Sequence, residues 1–118
     1  MPLNNPATAG PTHQADVIGL RSLNTIYQNT TGVPLYVAVT VTCQTGNADE
    51  RAKALLMTDS SNPPSTIVLS MGISKSIALN PANMHGAFMV VLPGNYYRVS
   101  LDTSGAGSVA LNKWVEWY

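Results

Sequence analysis

Charge is what this chain has least of. Its 118 residues include six Lys and Arg against six Asp and Glu, so the formal net charge is zero and charged residues make up 10% of the total. An ordinary soluble domain carries about 25%, and a free monomer usually relies on a charged surface for solubility. Here polarity comes mainly from 11 Thr, 10 Ser and 10 Asn. Such a surface suits crowded protein–protein contact. It does not supply the basic patch with which a nucleic-acid binder displaces counterions. Long apolar runs are also missing, and none approaches the ~20 residues a membrane-spanning helix needs. Met1 to Leu20 lacks the basic start and apolar centre of a signal peptide. The single cysteine, Cys43, has no intrachain partner for a disulfide. These absences lead us to expect a protein made and assembled in a reducing cytoplasm, with neither nucleic acid nor membrane as partner.

The groups that carry chemistry are equally sparse. Neither His13 nor His85 has a second His or Cys at metal-ligand spacing. Cys43 shares the apolar face of its segment with Val41, which reads as a buried, inert thiol. No Ser stands in a G-x-S-x-G elbow. The acids Asp16, Asp49, Glu50, Asp59, Asp102 and Glu116 are scattered. Asp49 and Glu50 are adjacent and point apart in extended chain, whereas a glycosidase needs two facing carboxylates. Gly105-Ala106-Gly107 precedes a strand-like segment, not the helix of a phosphate loop. The expectation is a non-enzyme with no cofactor and no metal.

What is present begins with an arm. Met1 to Asp16 contains Pro2, Pro6, Pro11 and Gly10, and after Met1 its only large apolar residue is Leu3. The prolines remove backbone donors and break regular elements, so residues 1–16 read as an extended arm laid across another polypeptide. Residues 17–118 read as one β-sandwich domain. The dominant signal there has period two: Leu35, Val37, Val39, Val41 and Cys43 fall on one face, and Tyr36, Ala38, Thr40, Thr42 and Gln44 on the other. Further strands are expected at Leu23 to Gln28, Ala52 to Thr58, Ile67 to Met71, Ile73 to Leu79, Ala87 to Leu92, Tyr96 to Leu101 and Val109 to Tyr118. The turns are Asn29-Thr30-Thr31-Gly32, the loop Asp59 to Pro64, Asn80 to Gly86 with His85, Pro93-Gly94-Asn95 and Ser104 to Gly107. About eight strands so punctuated predict an all-β fold, an antiparallel β-sandwich or jelly roll. Asn29-Thr30-Thr31 matches a glycosylation pattern, but its setting reads as a polar turn.

Ring surface is concentrated in Tyr36, Tyr96, Tyr97, Trp114, Trp117 and Tyr118. Aromatic faces anchor cores and interfaces, and they also stack on sugars. The candidate partner-contact residues are therefore Leu3, Pro6 and Pro11 in the arm and Trp114, Trp117 and Tyr118 at the end.

Several of these residues also carry a resemblance. Arg21, Tyr27, the turn Asn29 to Gly32, Pro34 and the alternating Leu35 to Val41 are followed by Val90-Val91-Leu92-Pro93-Gly94-Asn95-Tyr96-Tyr97-Arg98-Val99. The order ends on Leu111, Trp114 and Glu116. Over residues 17–118 this resembles the C-terminal head domain of bacteriophage tail fibres. The resemblance implies a β-sandwich assembled as a trimer on the outside of a virion, and it implies no catalytic residue. Tail fibres carry a long shaft before the head, whereas this chain has only a short arm. By size it resembles instead the small trimeric decoration (cement) proteins of phage capsids. The expected function is that of a virion structural protein, a homotrimer bound to the major capsid protein or other virion proteins. The alternative is a tail-fibre tip that recognises host surface glycans.

Overall fold

The computed structural model describes residues 10–74 and 82–118. It is all-β, and the alternation in the sequence becomes two packed layers. The strands are β1 (Gln14–Asp16), β2 (Tyr27–Gln28), β3 (Leu35–Gln44), β4 (Ala52–Asp59), β5 (Ile67–Ile73), β6 (Ala82–Val91), β7 (Tyr96–Thr103) and β8 (Ser108–Trp117). One four-stranded sheet has the order β1-β8-β3-β6 and the other β2-β7-β4-β5. Every neighbouring pair is antiparallel. The first strand thus pairs with the eighth, the second with the seventh, the third with the sixth and the fourth with the fifth. A folded ribbon wrapped on itself gives that order, which is the jelly roll among β-sandwiches.

The core lies between the layers. From the first sheet come Leu35, Val37, Val39, Val41 and Cys43 of β3, Met89 and Val91 of β6, and Trp114 of β8. From the second come Ala52, Ala54 and Leu56 of β4, Met71 and Ile73 of β5, and Tyr97 and Val99 of β7. The small Ala52 and Ala54 of β4 share a sheet with the larger Val99 and Tyr97 of β7, and the layer they form packs on β3 and β8 of the other. A bulge at Thr40/Val41 leaves Asn112 of β8 out of register, and its side chain donates to Thr42 Oγ1 on the outer face.

Loops are fixed by buried or bonded polar groups, which saves the backbone from orphaned donors. Asn29 is buried; its amide donates to the carbonyls of Val33 and Val91, and its Oδ1 accepts from Thr31. This ties the Asn29–Gly32 turn to the Pro93–Asn95 turn and accounts for both as structural elements. Glu50 accepts from the backbone of Gly46, Asn47 and Ala106, and Asp59 from that of Ser61, Ser65 and Thr66.

Four sequence expectations change. The arm does not stand wholly apart: Thr12 and His13 donate to the Tyr118 carbonyl, and Gln14 to Asp16 pair with β8. Polar residues suffice there, because an edge strand needs backbone partners more than an apolar face. The strand expected from Leu23 shrinks to Tyr27–Gln28, since Asn24 takes φ +64°. Asn24 then bridges Val99 and Leu101 of β7 through its amide and its side chain. The segment expected to break at Gly72 is instead one strand through it. Gly72 lies at φ +138°, where a Cβ would meet Ala52 O at 2.2 Å. Part of the second run expected there lies outside the described residues. Finally, β6 begins at Ala82, so His85 sits in a strand, opposite Val41, and not in a loop.

Candidate functional site

Two places gather the aromatic and apolar residues that the sequence singles out. The first is internal. Because β8 alternates, Trp114 and Glu116 point inward and Val115 and Trp117 outward. Glu116 is buried and accepts four hydrogen bonds: from Arg21 Nε at 3.1 Å, Arg21 Nη2 at 2.8 Å, Tyr97 Oη at 2.8 Å and Trp114 Nε1 at 3.0 Å. The Arg21 guanidinium also lies 4.6 Å over the Tyr27 ring, which meets Trp114 edge-on at 6.0 Å. Burial, reinforced by the Glu116 charge, pushes the Tyr97 phenol well above the ordinary tyrosine range. A cleft of about 190 Å³ opens beside this network, lined among others by Arg21, Asn29, Thr31, Tyr97, Glu116 and Tyr118. Its charged groups already satisfy one another, so the network is fitted to hold the two sheets together. Arg21, Tyr27, Tyr97, Trp114 and Glu116, far apart in the sequence, meet here.

The predicted contact residues separate. Leu3 and Pro6 lie outside the described residues. Pro11 is exposed, just ahead of the backbone bonds to Tyr118. Trp114 is fully enclosed by its own domain, so it serves the core and is closed to a partner. Tyr118 is half-buried and stacks on His13 at 4.9 Å. Trp117 is half-buried on the outer face and donates to Gln14 Oε1.

The second place is external, and sequence reading missed most of it. On the outer face of the first sheet, Val90, Tyr36 and Trp117 form one cross-strand row, and Phe88, Ala38 and Val115 the next. Met84 continues the β6 side and is 70% exposed; Phe88 is 61% exposed. Strand β5, the edge of the other sheet, packs against β6 and exposes Ile67, Val68 and Leu69. Neither β5 nor β6 contains a charged residue. The signal was the unbroken apolar run from Ala87: a strand apolar on both faces is normally covered on both.

The opposite margin is built differently. There the edges are β1 and β2, of three and two residues, and the Lys113–Asp16 ion pair stands on the outer face. Among the described residues no group of three or more His, Cys, Asp or Glu is placed to hold a metal ion. Comparison with protein-family models, curated proteins and solved structures gives no match for the chain.

Proposed function

We propose that this protein is a structural component of a bacteriophage virion: a homotrimeric decoration protein that sits on the capsid and braces the major capsid protein where its subunits meet. The observation that carries the reading is the long, uncharged apolar margin on a jelly roll whose polar interior is occupied in holding its own sheets together. Such a domain has surface to bury against other proteins and little charge to keep it apart from them. The tail-fibre-like motif residues support the virion assignment. In this reading the function is mechanical: many weak contacts, multiplied by trimer symmetry, resist expansion of the shell.

A second reading, a tail-fibre tip that binds host glycans, is favoured by the outward rings of Tyr36 and Trp117, which lie on adjacent strands. Imaging of native particles labelled with an antibody to this chain distinguishes the two. Label over the head is expected. Label at the tail tip replaces the decoration reading with the second, and particles without label overturn both.

A further inference from the structure

We propose that the β5–β6 margin, with the outer face of the first sheet beside it, is where a second copy of this chain docks. The inference rests on the oligomeric part of the functional reading and gives it a surface.

Three observations point to a second copy. The first is how unevenly the edges are protected. Proteins guard edge strands by shortness, charge, proline or a cover. Strands β1 and β2 are guarded by shortness, whereas β5 and β6 run for seven and ten residues without a charge or a proline. Strand β6 therefore offers a long row of backbone donors and acceptors beside exposed Met84, Phe88 and Val90. An extended strand of another chain satisfies both kinds of group at once.

The second is area. Met84, Phe88, Val90, Ile67, Val68, Leu69 and Leu92 are between 40% and 70% exposed. With large side chains of roughly 150–200 Å² each, their exposed parts sum to on the order of 600 Å², spread over the outer face of β6, the β5 edge and the turn after β6, before the Tyr36 and Trp117 rings are added. A stable interface needs about 800 Å² per partner, and the largest apolar patch on a typical monomer is about 300–600 Å². The sum lies at the top of the monomer range and below a full subunit contact, so the Tyr36 and Trp117 rings and the backbone edge of β6 have to supply the remainder.

The third is charge. A partner of opposite sign has nothing to steer towards on β5 or β6, and the whole chain has zero net charge. An uncharged copy of the same surface meets no like-charge repulsion.

The test is light scattering of the full chain across the micromolar range. The variants are Met84→Lys and Phe88→Lys, with Leu20→Lys as a control at a residue that is 72% exposed away from the margin. Wild type and Leu20→Lys should be oligomers of the same mass. Each margin variant should associate at least tenfold more weakly while keeping the wild-type circular dichroism spectrum. Oligomers that survive both substitutions overturn the docking surface and leave the oligomeric reading standing. A monomeric wild type overturns both. Should the lysine variants misfold, hydrogen exchange on the wild-type oligomer decides: slow exchange of the outward β6 amides supports the docking, and rapid exchange of them overturns it.

Discussion

Glu116 shows how much of this fold hangs on one side chain. It accepts from residues of β7 and β8 and from Arg21, 95 positions earlier in the chain. Removing one partner of a buried, bonded pair strands the other charge, which typically costs 3–5 kcal/mol. Arg21 keeps some solvent access, with its side chain 21% exposed, so Glu116→Ala should cost about 3 kcal/mol, near the lower end. Urea denaturation measures the loss as a lower midpoint at unchanged slope. Trp114→Ala loses a fully enclosed indole and should cost about 3–5 kcal/mol in the same experiment. Tyr97, Trp114 and Glu116 were each visible in the sequence as members of a motif. Their meeting with Arg21 was not, because nothing local links residues so far apart. The motif residues proved to be the ones that hold the fold. Met84, Phe88 and the exposed β5 residues, which no motif marked, form most of the candidate docking surface.

Strand β1 and the carboxylate-bonded loops set the behaviour of single elements. Deleting residues 2–10 keeps every backbone bond between Thr12–Asp16 and the end of β8. Deleting residues 2–15 removes the bonds from Thr12 and His13 and the bond from Tyr118 to His13. At roughly 1 kcal/mol net per hydrogen bond, those three bonds alone amount to about 3 kcal/mol, and the β1 pairs Gln14–Trp117 and Ala15–Glu116 go with them, so the deletion should cost at least that much, read as a lower melting temperature. Acid should loosen two loops. The backbone amide of Ala106, followed by that of Asn47, holds the Glu50 carboxyl below its ordinary value, and those of Ser65 and Ser61 hold Asp59 well below its own. A depressed folded value means that the stabilisation is complete above the ordinary carboxylate range and is lost as pH falls through it towards the folded values. Protection factors for amide exchange at Gly46, Asn47, Ser65 and Ala106, taken against the intrinsic rate at each pH, should fall in that window before global unfolding. Legibility differs by element for a physical reason. Strand β3 alternates cleanly because it is central in its sheet with one face on the core. Strand β1 has three mostly polar residues and gave no signal, since backbone pairing alone places it.

Taken whole, the molecule has an apolar margin and a short-edged, ion-paired one, and its association should follow the first. Screening charges with salt weakens contacts between ionic surfaces. Here the association constant should change less than about twofold between 50 mM and 1 M sodium chloride by analytical ultracentrifugation. Hydrophobic contacts weaken on cooling, so the same measurement at 4 °C should show more dissociation than at 25 °C. The two-layer architecture was legible from strand count, turns and period. The pairing order was not, because alternation says which face a residue takes and nothing about which strand lies beside it.

That pairing order also governs the chain's birth. In β3, Val37 meets Met89 on one side and Glu116 on the other, and both neighbours are synthesised long after it. This central strand, with its apolar inner face, is thus made early and sheltered late. Until β6 and β8 have left the ribosome, its row of valines has no sheet to join. Such distant pairings fold on the millisecond-to-second scale, and waiting strands are where unfinished chains stick to one another. The yield of folded protein on overexpression should therefore rise with chaperone supply and at lower growth temperature, read as the soluble fraction.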